Sequence, residues 1–547
     1  MRRLDPLLLG IIILGLGLRL VGLHWALPSA RHFHSYHPDE IMQAQATLNV
    51  NPLNGDFDPG FYNYGSLSFL VLRLAFDVAE VHAPVVPPEG AATEETLWVV
   101  LRRLHLLGRL LSALLGAATV LLTYGIGARL AGRAGGLTAA LLLAITPAHV
   151  AHSHYFTVDA PAAFLGTAAL WVALRLLDAP RARAAAGALA GLAAAVKYNM
   201  GLVVLAPLAA LVSHAWSARR KAPIPLRAVA LPGIACLAAA AAGFLVGCPG
   251  VLLNTERFLR DFLYEARHVR TGHGLCFTNT LPAWIYHVTH SLRFGLGIPL
   301  LVVTLAGVAA AARRRSPADL VVAAWVVPYY LLIGMAAVKF QRYTLPLLPP
   351  LMAWAGALCA GYIVERGWSR RRALAAAGLV GTLLWTLGAA IAYDALFVAT
   401  DPRDRAAEWV RAHVPSGATV ASAALPWFQH PPLAPWNGGE KTRESFMGTC
   451  DRWTYAFLPG DWTAERLADE RPSCFITSDL ETRDSLRLDL PETQGMRRLV
   501  AALARDYRRV DFPPATAWPD LFGPGLPPED WLYPAPTVSI YLRRDGR

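Results

Sequence analysis

HLLGRLLSALLGAATVLLTYGIGARLAGRAGGLTAALLLAITPAHV, residues 105–150, decides the fold. Two apolar runs, 105–128 and 134–150, flank a short break that carries Arg129 and Arg133. A helix needs about 20 apolar residues to cross the hydrocarbon core of a bilayer. Arginines between two such runs mark a cytoplasmic turn. The composition agrees with this reading: 54% of the 547 residues are hydrophobic and 16% charged, with mean hydropathy +0.36. A soluble domain carries about 25% charged residues. Disorder, a collagen repeat and a small disulfide scaffold are excluded, which leaves a polytopic α-helical membrane protein.

Working outward, further apolar runs lie near 6–26, 156–177, 226–248, 294–312, 318–337, 343–364 and 373–395. The stretch 184–214 holds Lys197 in its middle and reads as a hairpin of two short spans, with Lys197-Tyr198-Asn199 at its outer apex. Arg2 and Arg3 put the N-terminus in the cytoplasm, and the first span lacks a small-residue cleavage site, so it reads as an anchor. The clusters Arg219–Lys221, Arg313–Arg315 and Arg370–Arg372 then all fall inside. About eleven transmembrane helices result, with a large first outer loop over 27–104. Residues 65–81 are apolar but carry Arg73 and Asp77. A span there would invert every later loop, so they read as a helix on the outer interface.

The net charge of +11 reports the cytoplasmic loops and not a nucleic-acid partner. The six cysteines form no CxxC pair, so no zinc ribbon or redox motif is present. Beyond the transmembrane domain, 1–395, the composition turns more polar, and 396–547 reads as an extracytoplasmic α/β domain. Helices are expected at 404–413 and 464–470, and strands at 418–423, 474–477 and 537–543. Cys450 and Cys474 pair there in an oxidising compartment or stay as thiols. The alanine- and arginine-rich composition suggests a GC-rich bacterial genome and hence the plasma membrane.

Ionisable groups at membrane depth are costly and mark function by default. Here they gather on the outer face: Asp39 and Glu40 in the first loop, Arg109 opening a span, Asp159 after an outer turn, Lys197 at the hairpin apex, and Lys339, Arg342 and Tyr343 between two spans. His37, Tyr64, Tyr198, Asn199 and Arg270 lie on the same face. Carboxylates supply a base, and Lys and Arg hold a departing phosphate. Plainer roles compete. Asp39 and Glu40 suit a helix cap after Pro38, Asp159 suits a helix start before Pro161, and Lys339 and Arg342 suit interfacial snorkelling. His149, His152 and His154 have metal-ligand spacing, although loop histidines are commoner, and no metal site is assigned.

Several motifs, in order, carry a resemblance: HPDE at 37–40, FYNYGSL at 61–67, GRLLSALLGAATVLLTYGIGARLAG at 108–132, HVAHSHYFTVDAPAAF at 149–164, GLAAAVKYN at 191–199 and KFQRYTLPLLPP at 339–350. The chain resembles the lipid-carrier-dependent glycosyltransferases of the GT-C superfamily, the group of protein O-mannosyltransferases and the aminoarabinose transferase. The resemblance implies transfer of a sugar from a polyprenyl-phosphate donor to a hydroxyl acceptor, outside the cytoplasm, by inverting displacement. It implies Asp39, with Glu40 beside it, as base and Asp159 as a second acidic position. Lys197, Arg109, Lys339, Arg342 and Tyr343 would surround the carrier phosphate. No nucleotide is needed, and a divalent ion is compatible but not required. A transporter or flippase for an anionic lipid would use the same charges as a path. Transporters tend to show inverted repeats and midplane charges, and this sequence shows neither. A non-catalytic scaffold leaves the charge cluster unexplained.

Overall fold

The computed structural model describes residues 5–29, 35–82, 94–219, 227–364, 369–433, 455–515 and 525–544, together with Pro225 and Phe522. Helix α1 (Pro6–Leu20) starts behind Asp5, whose carboxylate accepts the Leu7 N–H at 3.1 Å. It stops before Gly22, which is left-handed (φ +79°) and packed so closely on Phe397 that no side chain fits there. Helices α2 (Glu40–Asn49) and α3 (Leu67–His82) form the first long loop. The latter is the helix expected at 65–81, and its Leu72 and Phe76 pack on Leu101 and Leu104.

Helix α4 (Glu94–Ala144) breaks at Ala131 and Gly132, where the chain doubles back. Gly127 lies against Gly135 and Ala139, and Gly136 lies against Tyr124 and Ala128. Gly132, at φ +66°, supplies the left-handed backbone that the turn requires. The two runs of the deciding stretch are therefore two antiparallel helices joined by the Arg129–Arg133 turn.

Helices α5 (Pro147–His152), α6 (Asp159–Arg175), α7 (Arg183–Ala194) and α8 (Leu205–Arg219) follow. Lys197 caps the 3-10 turn Tyr198–Val204 between α7 and α8, which is the apex expected for it. Helix α9 (Arg227–Gly247) packs on α7 through Gly187, Gly191 and Gly243, each set against the opposite backbone. Helix α10 (Thr255–Thr271) lies in the connection after α9. Helices α11 (Ile298–Arg314), α12 (Pro317–Gly334), α13 (Leu348–Val364) and α14 (Arg370–Val398) complete the bundle.

Among the described residues, six helical segments are long and apolar enough to cross a membrane: Trp98–Ala144, Tyr198–Ser217, Arg227–Gly247, Pro317–Gly334, Gln341–Tyr362 and Arg370–His413. The first of these is the hairpin. Helices α1, α6, α7 and α11 are 15, 17, 12 and 17 residues long. Three of these four are shorter than the runs that hydropathy marks. The chain leaves α1 at Gly22 and α7 before Lys197, because each must bend to meet the loops above.

The C-terminal module opens with α15 (Pro402–His413) and carries β1 (Thr419–Ser422), β2 (Ala456–Pro459), α16 (Ala464–Glu470), β3 (Cys474–Ser478), α17 (Asp479–Arg487), α18 (Gln494–Asp506), β4 (Tyr507–Phe512) and β5 (Val538–Arg543). The five strands form one sheet in the order β2-β1-β3-β5-β4. The pairs β1–β2 and β1–β3 are parallel, and β3–β5 and β4–β5 are antiparallel. Strand β3 is central and buried along its whole length, which suits its apolar sequence. Cys474 is buried in it, whereas Cys450 lies outside the described residues.

A strap between β4 and β5 ties the module to the bundle. Phe522, Trp531, Leu532 and Ala535 join the main membrane-domain core. The Trp531 ring lies 4.1 Å from that of Tyr393, whose hydroxyl donates to the Trp531 carbonyl at 3.1 Å. Trp531→Ala is expected to cost about 3–5 kcal/mol. A lower thermal midpoint and faster proteolysis of the module would show this; unchanged values would mean the module is anchored elsewhere.

Candidate functional site

The site begins where the first long loop turns into α2, and there two neighbouring carboxylates part ways. Glu40 is fully buried. It accepts from Arg109 Nε at 2.9 Å and Nη2 at 2.7 Å, and from the Phe156 N–H at 2.7 Å. Arg109 Nη1 donates to the carbonyls of Leu23 and Trp25. Burial opposes the charge on Glu40, but the guanidinium outweighs it and holds the carboxyl down at about 2. Glu40, expected as a catalytic group, and Arg109, expected as a phosphate binder, are thus paired with each other. Each is saturated by the other, because two buried charges are tolerated only when paired and hydrogen-bonded.

Asp39 is free of that pair. It stands at the N-cap of α2, yet its side chain makes no cap hydrogen bond. The carboxylate turns instead to Arg342, with Oδ2 3.3 Å from Nη2, and stays 27% exposed. Arg342 is buried, sits 4.0 Å over the Phe340 ring, and has its Nη1 without a hydrogen-bond partner. His37 is packed between Tyr155 and Tyr533, at ring distances of 4.4 and 4.9 Å. Burial pushes its imidazole down to about 4, and its Nδ1 accepts the Asp39 N–H at 3.2 Å.

Asp159 opens α6 and accepts from Lys197 Nζ at 2.7 Å, with both groups buried. The Lys197 ammonium also lies 5.0 Å from the Tyr343 ring centre. Beside this pair is a cavity of about 570 Å³, lined by Tyr64, Lys197, Tyr198, Asn199, Arg270 and Tyr343 and otherwise mostly by apolar side chains such as Phe262, Val269 and Ile333. Tyr64 and Tyr343 both feel the charges of Asp39, Asp159 and Arg342, so one electrostatic cluster serves the cavity wall and the exposed carboxylate. Lys339 is not part of it. Its ammonium donates to Thr280 Oγ1 at 2.8 Å and to the Leu281 carbonyl at 2.9 Å, bracing the loop that carries them. Lys339, expected at the carrier phosphate, is thus engaged with Thr280 and Leu281.

Sequence reasoning missed the contribution of the strap. Asp530, fully buried, accepts the backbone N–H groups of Gln341 and Arg342, each at 3.0 Å. The three histidines of the outer turn diverge: His149 meets Arg19, His152 meets Gln341, and His154 faces the Val21 and Val150 carbonyls. Among the described residues, one group of His, Cys, Asp or Glu is close enough to hold a metal ion, namely Cys276, Asp484 and Glu529. Asp484 already pairs with Arg487 at 3.0 Å.

A many-helix membrane domain with a small sheet module, and a cavity in the helical domain bordered by the Asp159–Lys197 pair, defines the class. Residues 97–242, the segment that holds Arg109, Asp159 and Lys197, match the family described as dolichyl-phosphate-mannose-protein mannosyltransferase. The resemblance to GT-C glycosyltransferases is thereby borne out. No curated protein sequence matches the chain. Among solved structures it is similar to the archaeal oligosaccharyltransferase AglB from Archaeoglobus fulgidus, in complex with an inhibitory peptide and a dolichol-phosphate. The identity is 11% over 92% of this chain and 73% of that one, with a TM-score of 0.49. It is also similar to ArnT from Cupriavidus metallidurans bound to undecaprenyl phosphate, at 13% identity over 97% of both chains and a TM-score of 0.46. The S. cerevisiae protein O-mannosyltransferase Pmt1-Pmt2 complex bound to the sugar donor matches at 18% identity over 47% of this chain and 35% of that one, with a TM-score of 0.34.

Glu40→Ala leaves a buried guanidinium unpaired and is expected to cost about 3–5 kcal/mol. Because the folded value of Glu40 lies below the ordinary 4.5, its contribution is complete above that pH and is lost as pH falls towards about 2. The gap in thermal midpoint between wild type and Glu40→Gln should therefore narrow from about pH 6 to about pH 3. A constant gap would remove the charge from the account.

Proposed function

We propose that the protein is an integral-membrane glycosyltransferase that moves a sugar from a polyprenyl-phosphate carrier to a hydroxyl acceptor. The observation that carries this reading is the pairing of an uncapped, part-exposed carboxylate, Asp39, with a buried Arg342 whose Nη1 has no hydrogen-bond partner. The apolar cavity that starts at Lys197 supports it, since a prenyl chain needs apolar walls and its phosphate needs a cation at one end.

In this reading the acceptor hydroxyl gives its proton to Asp39 as its oxygen bonds to the anomeric carbon. The bond from that carbon to the phosphate oxygen breaks in the same step, on the opposite face, and the configuration inverts. Polyprenyl phosphate leaves with the electron pair. Lys197 has donors beyond the one it gives Asp159, and with Arg342 Nη1 and Arg270 it would take up the developing charge. Phosphate is a good leaving group, so positioning and charge complementarity supply most of the catalysis. Tyr64, Tyr198, Asn199 and Tyr343 would shape the donor pocket. His37, neutral and fixed, would orient the base through the Asp39 backbone. The cations make a divalent ion dispensable. The N-terminus is cytoplasmic and the sheet module extracytoplasmic, in a bacterial plasma membrane; the module faces the acceptor.

The test uses purified protein in lipid with a panel of polyprenyl-phosphate sugars and reads release of free polyprenyl phosphate. Wild type should turn over at least one donor, and Asp39→Asn should lose more than about a hundredfold while melting like wild type. Lys197→Met should mainly weaken donor binding. Turnover in Asp39→Asn equal to wild type would overturn the assignment of the base.

A further inference from the structure

We propose that Asp530, from the C-terminal module, is a positioning residue that aims Arg342 at Asp39, so that the strap of the sheet module completes the membrane-domain site. The inference rests on the reading of Asp39 and Arg342 given above and adds to it a residue more than 100 positions beyond the last transmembrane helix.

Arg342 lies in the second position of a 3-10 helix, Gln341–Leu347, that follows Phe340. The first N–H groups of such a helix have no partner inside it, and Phe340 has no side chain that could cap them. Asp530 does so from another part of the chain. Its Oδ1 accepts the Gln341 N–H and its Oδ2 the Arg342 N–H, both at 3.0 Å, and Oδ2 is also 3.9 Å from Arg342 Nη1. One carboxylate thus caps the backbone at the arginine and lies within ion-pair range of its head group, without a hydrogen bond to it. With the backbone held and the guanidinium 4.0 Å over the Phe340 ring, Nη2 lies 3.3 Å from Asp39.

Asp530 is itself enclosed. It is buried, and the next residue is Trp531, anchored on Tyr393. Three residues on, Tyr533 meets His37 edge-on at 4.9 Å and gives its carbonyl to Arg403 Nη2 at 2.7 Å. The strap therefore touches both neighbours of the base: His37 on one side and Arg342 on the other.

Asparagine at 530 has one acceptor and one donor where two acceptors are required. Its amide N–H would oppose a backbone N–H, the turn would shift, and Arg342 would leave Asp39. Three readouts test this. A structure of Asp530→Asn should show the guanidinium withdrawn from Asp39, and a distance unchanged from 3.3 Å overturns the proposal. In steady state, Asp530→Asn should lower kcat by about 10–100-fold with KM for the polyprenyl-phosphate sugar within about threefold. A loss carried by KM alone overturns it. In an Arg342→Ala background, Asp530→Asn should cost no more than about a further twofold, because its effect runs through the missing side chain. Losses that multiply would make Asp530 merely structural. Asp530→Glu keeps the charge while misplacing it and serves if the asparagine variant does not fold; it should show the same displacement and an intermediate kcat. If wild type releases no polyprenyl phosphate from any donor, the functional reading fails, while the structural readout still decides whether Asp530 sets the orientation of Arg342.

Discussion

The buried pair of Glu40 and Arg109 is the interaction on which the rest of the site depends. It joins the first long loop to the hairpin of α4, and its bonds to the Leu23 and Trp25 carbonyls and to the Phe156 N–H draw in the segment after α1 and the turn before α6. Four separate segments thus converge on one ion pair. Two charges in such a place are stable only while every donor and acceptor is occupied, so the geometry is narrow. Asp39 inherits that narrowness as the adjacent residue. Its backbone is held by a neighbour that cannot move, and its side chain, one helical step round, emerges on the open side.

The second constraint is how charge is divided. Asp159 and Lys197 neutralise each other in burial, and Asp39 and Arg342 do the same with partial exposure. Neither pair uses all its donors. A pocket built this way is tolerable when empty, because each cation has a carboxylate nearby. In the proposed reading it would also receive an anion, because a lysine on a single carboxylate oxygen and a guanidinium nitrogen with no hydrogen-bond partner still have N–H groups to offer. The apolar wall beside them sets which kind of anion fits, since a free phosphate gains nothing from Phe262, Val269 and Ile333.

Much of this was legible in the sequence, for stated physical reasons. Apolar runs and flanking arginines located the helices and the turn at Gly132, because hydropathy acts on contiguous residues. Lys197 stood out because a lysine amid alanine and leucine needs a partner, and Asp159 is that partner. What failed was discrimination between neighbours and across distance. Nothing in His37-Pro38-Asp39-Glu40 says which carboxylate faces inwards; that depends on the phase of α2 and on an arginine 69 positions away. Lys339 and Arg342 look alike in a turn, yet one braces Thr280 and the other faces Asp39. Strand β2 contains a proline, and β4 is an exposed edge with a weak apolar pattern, so neither carried the usual strand signal.

Asp530 shows why the tail could not be read at all at this level. In sequence it is one acidic residue among many in a polar region, beside Glu529 and shortly after a proline-rich stretch. Its significance comes from the docking of the strap, which is driven by Trp531, Leu532 and Ala535 entering a core otherwise built from membrane helices. Burial of those apolar groups fixes the strap, and the fixed strap makes a carboxylate at 530 able to cap a helix in another domain. The order of causes therefore runs from hydrophobic docking, to backbone capping, to the direction of one guanidinium. A site assembled in that order is only as well formed as the contact between the two modules. In the proposed reading, an acceptor approaching from the side of the sheet module would thus meet Asp39 with its arginine partner oriented by that same module.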